Sequence, residues 1–409
     1  MKIIFVGTKN FHFFSELILS NFEKIILTSK NHHLPELLRK SATVITINEV
    51  YDENSRTHKL DTAQCLSSLS EIIKSGDEFR VFCNQEANLE VAEEIRKEFR
   101  IFDHMNSRVE VFRNKLLMKE IVSKYNLRAP HFIEIEKGMT PSAYNHLTEF
   151  FHSDFIIKPS SSVGSRGVYK ISRKQDFINF INETIDDSCQ FEAEEFIDGD
   201  LYEFDTALQN GELLYSNVSK YSCPMAELQN GTTLGSIMVE RHEEIHKRIY
   251  NFGMQCLNAL KALNGCFHME IFHNKKNELV FLEIAARSPG LMTVPAYLCW
   301  EGVNMYDMEL LIQSRLPASD IAFPPNEFLS RPSFFVVYPK IAGKVLSLNT
   351  PKIDAEIDID WQVSPGQVVT DTTTNIDYAA RFFVTCKNVH EAKQIFEWLT
   401  MEFEAISYV

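Results

Sequence analysis

Residues 268–290 read HMEIFHNKKNELVFLEIAARSPG, and two glutamates in this stretch stand where a folded chain ordinarily avoids them. The apolar residues of HMEIF and LVFLEIA flank a polar turn, Asn274-Lys275-Lys276-Asn277, which is the pattern of a β-hairpin whose side chains alternate faces. With the turn centred between Lys276 and Asn277, Glu270 falls opposite Glu283 and His268 opposite Ala285, on one face that Arg287 shares. Like charges directly across a ladder repel, so the pair implies a compensating partner. Oxygen ligands converging on one point suit a hard cation such as Mg2+ better than zinc. A solvated hairpin face, or a retaining glycosidase with its two carboxyls about 5 Å apart, accommodates the same pair. Against both stands the apolar company of Phe267, Met269, Ile271, Phe272, Leu282 and Ile284, which leaves no obviously wet face.

Upstream, residues 154–172 read DFIIKPSSSVGSRGVYKIS. Phe155, Ile156 and Ile157 mark a buried strand that ends in Lys158 and Pro159. A buried lysine is costly unless it meets an anion, and the loop from Ser160 to Gly167 offers N–H and hydroxyl donors of the kind that close on phosphate oxygens. An ordinary flexible hairpin fits the same residues. Residues 190–205, QFEAEEFIDGDLYEFD, predict a strand, an Asp198-Gly199 turn and a second strand running to the hairpin turn Asn210-Gly211.

The chain begins with alternating signals. Strands are predicted over 2–7, 24–28, 44–47 and 80–83, with an amphipathic segment over 11–22 and a helix over 87–100. Strands alternating with helices imply a small parallel sheet covered on both faces. Gly7 lacks the G-x-G-x-x-G spacing of a dinucleotide site and reads as a tight strand-to-helix turn. A helical run over 111–125 follows a boundary near Asp103, and Lys115 at its start reads, on its own, as a solvated side chain. Residues 220–237 form a polar segment, either a lid or an inert surface loop, and 242–263 form an amphipathic helix. Beyond a proline-punctuated stretch at 316–332, the tail shows strands FFVVYP, GKVLSL and ARFFVTC and a helix over 389–403.

With 409 residues, the chain has room for two or three domains. Lysine and arginine total 41 against 56 acidic residues, a formal charge of −15, which argues against a general nucleic-acid or anionic-membrane surface. The eight cysteines show no CxxC pair or zinc spacing, as expected of reduced, buried thiols in the cytoplasm. No signal-peptide pattern opens the sequence, and the uncharged stretch 288–300 is too short to span a bilayer. A cytoplasmic protein is expected.

A lysine-headed helix, a strand-Lys-Pro-Ser/Gly loop, the EEFIDG strand and turn, and E-x12-E-x3-R in a hairpin occur in this order. Together they resemble the ATP-grasp superfamily, in particular its carboxylate–amine ligases, which include amino-acid and dipeptide ligases. The resemblance covers residues 104–315 well. It implies an α/β and α+β multidomain chain: an N-terminal parallel α/β pre-ATP-grasp domain at 1–103, a two-lobed ATP-grasp domain at 104–320 and a small C-terminal α+β subdomain at 321–409.

The resemblance also implies roles. Lys115 and Lys158 would reach the phosphates of ATP from the two lobes, and Ser161, Ser162, Gly164, Ser165 and Gly167 would fold over them. Glu194 would accept the adenine amino group, and the backbone of Glu195, Phe196 and Ile197 would edge the base. Leu201 stands where the family often has a ribose-binding glutamate, so Glu203, two residues on, is the substitute. Glu270 and Glu283 would hold Mg2+; Ala285 replaces an asparagine that many members use for a second ion, leaving the number of ions open. Arg287, with Lys158, would contact the transferring phosphoryl group, and His268 is either a contact of that site or a packed core residue. The implied activity is ADP-forming ligation of an amino acid or similar small carboxylic acid to an amine through an acyl-phosphate. A kinase-like phosphotransferase or a nucleotide-binding protein without turnover would use the same fold. The implied partners are ATP and small substrates, with no nucleic acid or membrane, and a homodimer is allowed.

Overall fold

The computed structural model describes residues 1–74, 78–101, 108–136, 138–164, 166–184, 188–318 and 328–409. The expected domain boundaries at 103/104 and 320/321 fall outside the described residues, as does Ser165.

The opening of the chain folds as its alternation predicts. Strands Lys2–Val6, Glu23–Ser29, Ala42–Ile47 and Phe79–Phe82 form a parallel sheet with Lys2–Val6 between Glu23–Ser29 and Phe79–Phe82. Ile3, Ile4, Phe5 and Val6 are all fully buried, because helices cover both faces and a two-sided burial demands an unbroken apolar run. Two elements carry no such run. The hairpin Glu49–Asp52 with Thr57–Leu60 stands apart from this sheet, and helix Thr62–Ile72 starts at Asp61, whose side chain accepts the Gln64 N–H.

The next segment makes a small lobe. Its antiparallel sheet runs in the order Phe132–Ile135, Phe191–Glu195, Phe155–Pro159, Tyr169–Ile171. Helices Ala143–Phe151 and Lys174–Thr184 cover one face through Phe151, Phe155, Phe177, Phe180 and Phe191.

Among the described residues the largest sheet has eight strands, in the order Leu279–Ala285, Gly265–Asn274, Gly199–Gln209, Glu212–Tyr221, Leu234–Met238, Ser333–Pro339, Tyr378–Thr385, Glu356–Trp361. The two strands of the EEFIDG region therefore lie in different sheets, and Phe196, Ile197 and Asp198 form the link between lobes. The tail is α+β as expected, but its main strands are not separate. Ser333–Pro339 pairs antiparallel with Leu234–Met238, so the tail extends the central sheet. A short three-stranded sheet, Val368–Val369, Gly343–Leu348 and Ile406–Tyr408, stands beside it. Residues 220–237 are not a featureless loop: they complete one strand, form the 3-10 turn Met225–Asn230 and begin the next.

Helix Glu244–Ala259 packs on the large sheet with Ile249, Cys256 and Leu257 against Phe204, Phe267 and Phe281. Its Gly253 lies so close that an added Cβ would sit 2.2 Å from the Phe204 ring. Replacing a mid-helix glycine by alanine ordinarily stabilises by about 1 kcal/mol. Here the fully buried Phe204 has nowhere to go, and overpacking costs about 1–3 kcal/mol, so the clash wins. Gly253→Ala should lower the denaturant midpoint at unchanged slope; a raised midpoint would show that the helix can shift instead.

Candidate active site

A cleft of about 580 Å³ opens between the two lobes. The Leu279–Ala285 and Gly265–Asn274 strands supply one wall, and their register explains why both glutamates face it. His268 pairs with Ala285 and Glu270 with Glu283, as the sequence predicts, but Ile271 pairs with Phe281. The tip of the hairpin is thus centred on Lys276, and Leu282 is an extra residue. Without that bulge Glu270 would oppose Leu282. A bulge re-aims side chains, and Leu282 and Glu283 both line the cleft as a result.

Opposite charges gather around this pair. Lys115 heads helix Lys115–Lys124, whose N-cap Asn114 accepts the Leu117 N–H; its ammonium donates to the Ser162 carbonyl at 2.8 Å and lies 3.2 Å from Glu283. Lys158 lies 2.6 Å from Glu194 and 3.9 Å from Glu283. One turn along the same helix, fully buried Lys119 donates to Glu192 at 2.6 Å and to Glu194. Three ammonium groups and three carboxylates thus balance in a region where an unpaired charge costs several kcal/mol. Burial pushes the Glu283 carboxyl up, but Lys115 and Lys158 outweigh it and bring it down to about 2. Burial likewise disfavours the charged form of Lys158, yet Glu194 and Glu192 hold it above the ordinary lysine range.

The expected residues fall into two groups. Lys115, Lys158, Ser162, Gly164, Glu194, Glu195, Phe196, Ile197, Glu270, Glu283 and Arg287 all line the cleft. Both Glu194 oxygens already carry lysine partners, Lys158 on Oε1 and Lys119 on Oε2. The Glu195 carboxylate is held by Arg128 at 2.6 and 2.8 Å, and the N–H groups of Glu195 and Phe196 donate to His131 and Asp154 carbonyls. Ser161 and Gly167 stand behind the lining residues, with the Ser161 carbonyl accepting from Arg113 at 2.9 Å.

Glu203 requires a correction. It is fully buried and absent from the cleft wall, so the substitute ribose contact fails. Helix Thr293–Glu301 covers its side of the strand: Thr293 and Ser236 donate to its carboxylate, and Tyr297 donates to neighbouring Asp205 at 2.6 Å. Burial and the nearby Asp205 push the Glu203 carboxyl up to about 8. Glu203, Asp205 and His268 do offer ligand atoms within 4.8 Å of one another. Asp205 lies 2.8 Å from His268 Nδ1 and overrides the burial that opposes its charge, raising the imidazole to about 10.

Glu86, which the sequence did not single out, enters from the N-terminal unit. It lies 2.9 Å from Arg287 and 2.6 Å from Arg113. Asn375 and Ile376 reach the cleft from the tail, and Met225 from the 3-10 turn. Beneath Arg287, buried Glu309 accepts the Ser288 N–H and hydroxyl at 3.2 and 2.6 Å.

Residues 151–295 match the family model described as an ATP-grasp domain. An L-arginine-specific L-amino acid ligase of Bacillus subtilis is 25% identical over 145 residues, 33% of this chain and 34% of that protein. The match therefore spans about a third of the length of this curated relative. An L-amino acid ligase structure from Bacillus licheniformis superposes with a TM-score of 0.71 at 14% identity, covering 100% of this chain and 98% of that one. The biotin carboxylase domain dimer of Hydrogenobacter thermophilus 2-oxoglutarate carboxylase, in complex with Mg-ADP, ADP and bicarbonate, gives 0.64 at 13% identity over 100% and 91% of the two chains. Residues 151–295 are thus similar to an ATP-grasp domain, and along its whole length the chain shares the fold of these solved structures. Among the described residues no helix is long and apolar enough to cross a membrane.

Glu309 yields a pH dependence. Burial raises its carboxyl from 4.5 to about 7, against the Ser288 bonds and Arg287, which lower it. Between those values the folded state binds more protons than the unfolded one, so stability falls as pH rises through the interval and is flat above it. The melting advantage of Glu309→Gln over the unsubstituted protein should grow from pH 5 to pH 8. An advantage independent of pH would show that Glu309 does not titrate there.

Proposed function

We propose that this chain, built around an ATP-grasp domain, is an ADP-forming carboxylate–amine ligase that joins an amino acid or similar small carboxylic acid to an amine. The observation that carries this reading is the meeting, in one cleft, of the Glu270–Glu283 pair with Lys115, Lys158 and Arg287. Two facing carboxylates suit a hard cation, and three cations beside them suit a polyphosphate. Glu270 and Glu283 would hold Mg2+, which when bound neutralises the charge of phosphate oxygens.

The chain's own groups do the rest. Lys115 uses two of its three N–H donors on Ser162 and Glu283, leaving one for a phosphate oxygen. Ile156, Val168, Phe196, Ile197, Leu201 and Leu282 line the same cleft and give a planar base an apolar slot. A substrate carboxylate oxygen then bonds to the γ-phosphorus as the bond to the β,γ-bridging oxygen breaks, releasing ADP. The amine nitrogen next bonds to the acyl carbon, the carbon–oxygen bond to phosphate breaks, and the amine loses a proton. Phosphoryl transfer of this kind needs chiefly positioning and charge neutralisation, which Arg287, paired with Glu86, would give. The relatives named as L-amino acid ligases support an amino acid as the acid component.

ADP release measured over pairs of amino acids, with mass spectrometry of the products, tests this. The expected product is the two substrates joined with loss of water; a phosphorylated single substrate would instead identify a phosphotransferase, and nucleotide binding without ADP a protein lacking turnover. Glu283→Ala should reduce ADP release by on the order of 10²–10³, and full activity in that variant would refute the assignment of Glu283.

A further inference from the structure

The Glu49–Asp52 and Thr57–Leu60 hairpin leaves the N-terminal sheet and ends on the small lobe. Asp52 ties its tip together: it accepts from the Asn54 N–H at 3.2 Å, from Ser55 at 3.0 Å and from Lys59 at 3.1 Å. Arg56, the last residue of that tip, has φ +51, a left-handed backbone that costs an L-residue about 1–2 kcal/mol and persists only where surroundings compensate. The compensation comes from the small lobe. The Arg56 guanidinium lies over the Phe191 ring, 5.8 Å from its centroid, and against the Tyr169 hydroxyl. Its carbonyl accepts from Arg166 at 3.2 Å, and the neighbouring Asn54 carbonyl accepts from Cys189 at 3.5 Å.

Gly167 makes the approach possible. It has φ +69, and a Cβ there would sit 2.2 Å from Arg56 Nη1. The contacted residues flank the loop after Lys158, while Ser162, Gly164 and Tyr169 of that region line the cleft. Arg56 itself is not on the cleft wall.

We propose that Arg56 is a positioning residue that holds the loop after Lys158, from the N-terminal unit, in the shape that receives the phosphates of ATP. This rests on the reading of the cleft as an ATP site. Ordering a glycine- and serine-rich loop costs about 1–2 kcal/mol per residue in backbone entropy, and Arg56 removes part of that cost before nucleotide arrives. An arginine suits the place because its planar group stacks on an aromatic face while still donating at its edge, which lysine cannot do. The same N-terminal unit carries Glu86, so it contacts both Arg287 and the loop.

The test compares Arg56→Ala and Arg56→Gln with the unsubstituted protein by Mg-ATP titration, steady-state kinetics and amide hydrogen exchange over residues 161–172. Expected are a KM and Kd for Mg-ATP raised roughly tenfold, equivalent to about 1.4 kcal/mol, a kcat changed far less, and faster exchange in the loop at an unaltered melting temperature. Two variants that bind Mg-ATP and exchange like the parent would overturn the proposal. If the parent binds no Mg-ATP while both variants still exchange faster at 161–172, the latch stands and the ligase reading falls.

Discussion

The arrangement depends on a buried alternation of charge that no single lobe could sustain. Lys115 and Lys119 project from a helix packed on the large sheet, Glu283 belongs to that sheet, and Lys158, Glu192 and Glu194 belong to the small lobe. Separate the lobes and each holds ammonium or carboxylate groups that have lost part of their counter-charge. Such a network adds little net stability, since desolvation consumes most of the Coulombic gain. What it supplies is position: the lysines and Glu283 are fixed beside the cleft because every alternative leaves a charge unpaired. Glu192 marks the limit of this compensation. Its Oε2 has no hydrogen-bond partner among the described residues, and burial outweighs Lys119 and Lys158, so its carboxyl is raised, whereas Glu194, bonded by both lysines, is lowered.

Much of this was legible in sequence because it is encoded in short periods. The parallel sheet follows from unbroken apolar runs, and the hairpin that carries Glu270 and Glu283 from a polar turn between alternating strands, although their direct pairing depends on the bulge at Leu282. Lys119 and Glu192 were equally legible in principle. Lys115 and Lys119 are four apart on a helix and Glu192 and Glu194 two apart on a strand, spacings that put each pair on one face. A functional reading of Lys115 and Glu194 alone hides that signal.

Other features have no local code. Glu203 shares its strand face with Leu201, but helix Thr293–Glu301, some ninety residues onward in sequence, decides that the face borders the cleft at one position and is sealed at the other. Glu86 looks like any exposed glutamate ahead of a helix until Arg113 and Arg287 arrive beside it. The bulge at Leu282 is invisible to a pattern that counts symmetrically from the turn. The continuity of the tail with the central sheet depends on pairing between Leu234–Met238 and Ser333–Pro339, which local apolar runs do not specify.

That last pairing bears on how the molecule comes into being. The strand Leu234–Met238 closes the segment that flanks the cleft, yet its far edge is satisfied only by residues made about a hundred positions later. A chain lacking Ser333–Pro339 therefore carries an open strand edge, the template on which aggregation starts, and lacks the Asn375 and Ile376 that line the cleft. Non-local pairing of this kind is slow to form. The tail, in which no chemical motif is readable, thus covers that edge and carries the sheet's open side outward to Glu356–Trp361.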